Sequence, residues 1–256
     1  MWYRNYLYHI LPNSNYKKIN MDWFNSDYYH KLYKNRDHNE ARNFIDNITS
    51  YLNLKKDSKI LDLACGVGRH STYLQKIGFD VVGTDKSQNN IEKAKVSENE
   101  KLSFIQMEMI DNTNYKYDVI LNLFTSFGYV NHDYNLKTIK NINRQLKDDG
   151  VVIIDFMNTF FVKKNLVKEE IKIIDNIKFE IKRRYDTNYI IKEIRFSDII
   201  EYSFKEKVMD LSINDFKKYL KRYNLEIIRT FGNYSLGDFK INKSERLIMV
   251  IKKSQP

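Results

Sequence analysis

The 256-residue sequence has one cysteine, two prolines and eight glycines. A single thiol, Cys65, excludes an intrachain disulfide and a cysteine-based zinc site, and such cysteine usage fits a reducing compartment, so a cytoplasmic location is expected. No apolar run approaches the ~20 residues that span a bilayer, and no membrane partner is expected. The first twenty residues carry Arg4, Lys17 and Lys18 and no acid, but lack the apolar core and cleavage site of a signal peptide. They read as an extension ahead of a start at Met21, with a transit peptide as the alternative. With so few glycines, each one is informative about the backbone around it.

What is present is ordinary for a globular protein: 42% hydrophobic and 30% charged residues, in a length that suits one α/β domain with an insertion. The net charge of +10 is uneven. Residues 61–158 hold 11 basic and 13 acidic side chains, whereas residues 159–222 hold 16 and 11. A basic excess of that kind can steer an anionic acceptor or nucleic acid. The plainer reading is a solvated Lys-rich surface.

Apolar periodicity divides the chain. Ala41, Phe44, Ile45, Ile48, Tyr51 and Leu52 predict a helix over 39–54. Short apolar strands at 59–64, 80–85, 102–106, 118–124 and 151–156 alternate with helices, and Asp148–Gly150 reads as a turn before the fifth strand. That alternation predicts βαβ units and a Rossmann-like, mostly parallel sheet. After Asn158 the period changes to two, at Ile177, Phe179 and Ile181, then Ile194 and Phe196, then Tyr202, Phe204 and Val208. This predicts an antiparallel β insertion over 159–210, acting as a substrate-side cap on a domain formed by 21–158 and 211–256. A helix over 213–223 and two strands at 225–231 and 246–252 complete the reading. The connection between those strands is too short for a helical crossover, so they should pair antiparallel and give a seven-stranded sheet with an antiparallel last strand.

The chemistry centres on a strand that ends in Asp62, runs through Ala64, Gly66 and Gly68, and opens a helix. Glycines there let the backbone turn tightly and approach a ligand. Asp85, 19 residues after Gly66 and at the end of the next strand, can accept both ribose hydroxyls of an adenosine. Position 71, where a dinucleotide fingerprint wants a third glycine, is Ser71. Asp62 ahead of the glycines suits the ammonium of a methionine moiety and would repel a pyrophosphate.

The run Ile60–Ser71 resembles motif I of class I S-adenosylmethionine-dependent methyltransferases, and Gly83–Ser87, with Asp85 and Lys86, is similar to motif II. Phe104–Met109 resembles the third motif, with Glu108 where the family has Asp, and Asn122–Tyr129 stands at motif IV. The likeness covers roughly residues 21–256 and is strongest to the small-molecule-type bacterial branch, with its aromatic-rich first helix, here Tyr28–Asp37, and its closing Ser-x-Arg strand, here Ser244–Arg246. It implies S-adenosylmethionine as cofactor. The cofactor contacts it implies are Asp62, Ala64, Gly66, Gly68, Asp85, Lys86, Glu108, Met109, Asn122 and Leu123, with Tyr29 and Arg36 from a lid.

Methyl transfer from a sulfonium is an in-line displacement that needs no metal and no covalent enzyme intermediate, so proximity supplies much of the rate and no obvious catalytic residue is expected. Tyr129, His132, Asn158 and His30 are the acceptor-side candidates; the alternative for each is a solvated, capping or packing role. The leading expectation is transfer to O or N of a small molecule. Two alternatives stand beside it: an RNA-directed enzyme using the basic insertion, and an inactive S-adenosylmethionine-binding protein.

Overall fold

In a computed structural model of the protein, residues 23–34 and 38–254 are described. The expectations for residues 1–20, for a start at Met21 and for Arg36 fall outside them.

Five strands form the parallel heart of the larger sheet: β1 (Lys59–Leu63), β2 (Asp80–Asp85), β3 (Leu102–Gln106), β4 (Tyr117–Asn122) and β5 (Leu146–Met157). With β10 (Leu225–Phe231) and β11 (Arg246–Lys253) the order is β10-β11-β5-β4-β1-β2-β3, and β11 runs antiparallel to both of its neighbours. This is the sheet expected from the sequence. Its central strands are buried on both faces, as covered parallel strands are. One face packs Phe44, Ile45, Ile48 and Leu74 from α2 (His38–Leu52) and α3 (Arg69–Lys76), together with Ile91 and Ala94 of α4 (Gln88–Lys95). The other packs Ile139 and Ile142 of α5 (His132–Gln145) and, from a later helix (Ile213–Lys221), Phe216 and Leu220.

Helix starts follow their capping residues. Ser87 and Asn131 accept the amide hydrogens of Asn90 and Tyr134 and so open α4 and α5. The Asn131 cap begins α5 about a turn earlier than its apolar residues predict. Asp148–Gly150 does not separate helix from strand as an independent turn. β5 starts at Leu146, which pairs with Tyr117, and the register jumps so that Val151 pairs with Val119, absorbing the polar residues as an irregularity within the strand.

A second sheet, in the order β6-β7-β8-β9, is wholly antiparallel: β6 (Glu169–Ile174), β7 (Ile177–Tyr185), β8 (Tyr189–Ser197) and β9 (Glu201–Met209). The β7–β8 turn is held by the Asp186 carboxylate, which accepts from the amides of Asn188 and Tyr189. Neither α6 (Thr159–Lys164), which precedes this sheet, nor its exposed edge strand β6 has a clear sequence period. The 213–221 helix, α7, follows it and is closed by a capping box between Ser212 and Asp215.

The segment Trp23–Leu32, a 3-10 turn and α1 (Asp27–Leu32), bridges the two sheets. Trp23 and Leu32 are buried with Phe179, Ile194 and Phe196 of the second sheet. On its other side Asn25 accepts from Ser87 Oγ at 2.6 Å, and His30 Nε2 lies 2.8 Å from Asn90 Oδ1. Among the described residues no helix is long and apolar enough to cross a membrane.

Candidate active site

The chain leaves β1 through an unusual backbone. Ala64, Gly66 and Gly68 all have positive φ (65°, 59° and 76°), and the Cys65 amide continues toward β2 by donating to the Thr84 carbonyl at 2.9 Å. The two glycines serve different ends. A β-carbon on Gly66 would meet nothing within 4 Å, so this position faces open space. A β-carbon on Gly68 would stand 2.5 Å from the Phe104 ring, so this glycine lets α3 pack on β3. Cys65 is buried nearby, and burial pushes its thiol well above the usual range, which fits an inert filler.

Parallel pairing of Asp62 with Gly83 brings the tips of β1 and β2 together, and Asp85 then overhangs the turn. Its carboxylate accepts from the Gly66 amide at 2.9 Å and from the Ser87 amide at 2.9 Å, with Asn90 Nδ2 at 3.3 Å. Asp62 is buried and accepts from Ser71 Oγ at 2.6 Å. Burial raises its pKa to about 6, against the lowering effect of the Ser71 hydrogen bond. His70 beside it is also buried, and burial, with Arg69 adding to it, drops its pKa to about 3, so its imidazole is neutral.

Two cavities lie at this edge of the sheet. One, of about 340 Å³, is bordered by Gly66, Asp85, Lys86, Glu108, Met109 and Tyr134. The second, of about 310 Å³, is bordered by Asp62, Cys65, Arg69, His70, His30 and Leu123. They share Tyr29, Ala64, Gly66, Phe124 and Ser126, so they form one cleft whose two ends are marked by Asp85 and Asp62. Aromatic rings rim it, with Phe24 5.4 Å from Tyr29 and 5.1 Å from Tyr129 between centroids. Glu108 accepts from Tyr134 Oη at 2.5 Å, and the phenol is pushed up by burial and by that carboxylate.

A third cavity, of about 760 Å³, lies between the cleft and the second sheet. It meets the cleft at Tyr29, Tyr33, Phe124, Thr125 and Tyr129. Its apolar wall includes Met157, Leu166, Ile181 and Ile190. Its polar corner is a half-buried group: Lys192 donates to Tyr33 Oη, which donates to Glu206 Oε1 at 2.7 Å. Trp23 Nε1 donates to the same oxygen at 2.6 Å, and Lys192 Nζ stands 3.8 Å from Glu206 Oε2.

Of the residues singled out in the sequence, Asp62, Ala64, Gly66, Asp85, Lys86, Glu108, Met109, Leu123, Tyr29, Tyr129 and His30 border these cavities. The others do not. Gly68 packs on Phe104. Asn122 is fully buried, donating to the Leu63 carbonyl at 2.9 Å. His132 bonds through Nδ1 to Tyr219 of α7. Asn158 donates to the carbonyls of Ile241 and Ser244, both at 2.7 Å, and so ties down the β10–β11 loop. Among the described residues no group of three or more His, Cys, Asp or Glu side chains is placed to hold a metal.

A ligand cleft at the carboxyl ends of parallel strands, with an acid at each end and a glycine opening into it, defines a nucleotide-type cofactor-binding α/β protein. The sequence matches the methyltransferase domain family over residues 36–230, and the chain belongs to that family, whose methyl donor is S-adenosylmethionine. An uncharacterized protein of Methanocaldococcus jannaschii is 29% identical over 211 residues, covering 80% of this chain and 74% of that protein. The ubiquinone biosynthesis O-methyltransferase of Rickettsia bellii is 28% identical over 148 residues, covering 56% of this chain and 60% of that enzyme. Among solved structures, an S-adenosylmethionine-dependent methyltransferase from Clostridium acetobutylicum shares the fold with a TM-score of 0.75 at 23% identity, over 89% of this chain and 97% of that one. The sugar N-methyltransferase KedS8 from Streptoalloteichus does so with a TM-score of 0.75 at 14% identity, over 97% and 100%.

Proposed function

We propose that the protein transfers a methyl group from S-adenosylmethionine in the Asp62–Asp85 cleft to an O or N atom of a small molecule held in the 760 Å³ cavity beside it. The observation that carries this reading is the adjacency of the two spaces, which share Phe124, Thr125, Tyr29, Tyr33 and Tyr129 in their walls. Cavities of these sizes are typical of small-ligand sites.

The cleft residues fit the cofactor. Gly66 leaves room where any side chain would intrude. The Asp85 carboxylate, already oriented by two backbone amides, has the acceptor capacity left for ribose hydroxyls. Glu108 and Met109 border the adenine side, and Asp62 with Arg69 the amino-acid side, where an ammonium and a carboxylate find opposite charges. Once bound, the cofactor supplies an activated methyl on a cationic sulfur. The rim of Phe24, Tyr29 and Tyr129 suits such a cation and keeps water from the junction. The half-buried Tyr33–Glu206 pair offers a place for the proton an acceptor loses, through the tyrosine hydroxyl to the carboxylate.

A small acceptor is favoured over RNA by the charge on the second sheet. The cations of the Lys182–Arg184 run are paired with acids: Arg183 with Glu170 at 2.5 Å, Lys182 with Glu169 at 3.2 Å and Arg184 with Glu193 at 3.7 Å. A continuous basic stripe, the footprint of nucleic-acid binding, is not formed by these paired side chains. A sugar N-methyltransferase and a ubiquinone biosynthesis O-methyltransferase are among the proteins similar to this chain.

Calorimetry with S-adenosylhomocysteine tests the cofactor half of this reading, with Asp85→Ala expected to weaken binding at least tenfold. Unchanged affinity in that variant removes the ribose assignment. Tritiated methyl transfer to panels of phenols, amino sugars and short RNAs tests the acceptor half. Labelling of RNA alone would overturn it.

A further inference from the structure

Phe124 and Thr125, consecutive residues after β4, both have left-handed backbones (φ 55° and 60°) although neither is glycine. Such a pair persists only where its surroundings impose it. The surroundings are specific. The Phe124 amide donates to Asp155 Oδ2 at 2.8 Å, and the Thr125 amide to the Asp155 carbonyl at 2.9 Å. Arg246 Nε donates to Asp155 Oδ1 at 2.8 Å, while Nη2 reaches Thr125 Oγ1 at 3.0 Å. Tyr234 Oη adds a bond to Asp155 Oδ2 at 3.2 Å. Asp155 is fully buried. The imposed turn stands where it matters, since Phe124 borders both halves of the cleft and the neighbouring cavity, and Thr125 borders the cavity and the Asp85 half.

We propose that Arg246 and Asp155 are positioning residues that latch the Phe124–Thr125 turn in its left-handed form and thereby shape the wall between cofactor and acceptor. This rests on the cofactor reading above. Arginine is required rather than any cation, because its planar fork spans Asp155 and Thr125 at once, which a lysine ammonium does not reproduce.

The test uses the full chain and S-adenosylhomocysteine as probe, with calorimetric affinity and crystal structures as readouts. Arg246→Lys keeps a charge opposite Asp155 but releases Thr125, and its affinity is expected to fall about tenfold while the protein still melts cooperatively. Adding Thr125→Gly to that variant should restore affinity to within threefold of the parent, because glycine takes the left-handed form without a tether. A merely destabilised protein would not be rescued by a glycine. If Arg246→Lys does not fold, Thr125→Val, which leaves the ion pair intact and removes the Oγ1 acceptor, is expected to lose about fivefold. Parent-like affinity in Arg246→Lys, or in Thr125→Val where the lysine variant does not fold, overturns the latch; so does a double variant no better than Arg246→Lys, or an Arg246→Lys crystal structure with both dihedrals unchanged. Absence of binding by the parent protein overturns the cofactor reading instead, and the dihedrals then judge the latch alone.

Discussion

Asp62 shows how a single carboxyl carries both fold and function. Burial holds its pKa at about 6 against an ordinary 3.8. The folded state therefore keeps the proton longer than the unfolded chain does. The contribution to stability is fully present below about 3.8 and is lost as pH rises through 6. Asp62→Asn, which still accepts from Ser71, should match the parent in urea unfolding near pH 3.8 and exceed it by about 2–3 kcal/mol at pH 8. An equal difference at both pH values would refute the assignment. Cofactor binding has the opposite demand, because an ammonium needs the ionised acid, so S-adenosylhomocysteine affinity should fall about tenfold per pH unit below 6. The glycines make a second contrast. Gly66→Asn, whose side chain tolerates the left-handed backbone at this position, should leave a cooperatively folded protein that does not bind the cofactor, whereas Gly68→Ala should lower the melting temperature, since its methyl would press on the Phe104 ring. Thermal melts beside calorimetry separate the two.

At the scale of elements, caps and register decide what the sequence reveals. The Asp62, Gly66 and Asp85 spacing is legible because it spans one βαβ unit, where local turn chemistry and parallel pairing leave little choice. The Lys192–Glu206 corner is not. The two residues face each other across β8 and β9, but a charged residue on an alternating strand looks the same in sequence whether its face meets solvent or a cavity. The partner of Arg246 is hidden likewise: the Ser-x-Arg strand is legible, but its arginine meets Asp155 only through the antiparallel register of β11 on β5. His132 reads from the sequence as a loop histidine, either solvated or facing an acceptor, whereas the Asn131 cap makes it the first residue of α5. Asn131→Ala should cost about 1 kcal/mol in chemical denaturation and leave cofactor affinity unaltered.

For the molecule as a whole, the Trp23–Leu32 segment is one tie between the two sheets, beside the Met209 amide, which donates to the Gly128 carbonyl at 2.8 Å. Trp23 fills the second sheet's core and bonds Glu206, while Asn25 and His30 hold α4. Trp23→Ala should cost about 3–5 kcal/mol and loosen the core of the second sheet, read as faster proteolysis within that sheet. Equal proteolysis rates would show that the sheets are held elsewhere.

The placement of β11 has a temporal consequence. It occupies an interior slot, between β10 and β5, and it brings Arg246 to the turn after β4. During synthesis every other strand of the large sheet leaves the ribosome first, so a nascent chain exposes two unfilled strand edges and an uncompensated Asp155 until residues 246–253 emerge. A chain stopped at Glu245 should therefore aggregate rather than yield a weaker enzyme, and sedimentation of that fragment would decide it. Completion of the sheet and readiness for the methyl donor are, on this account, a single late event in the life of each molecule.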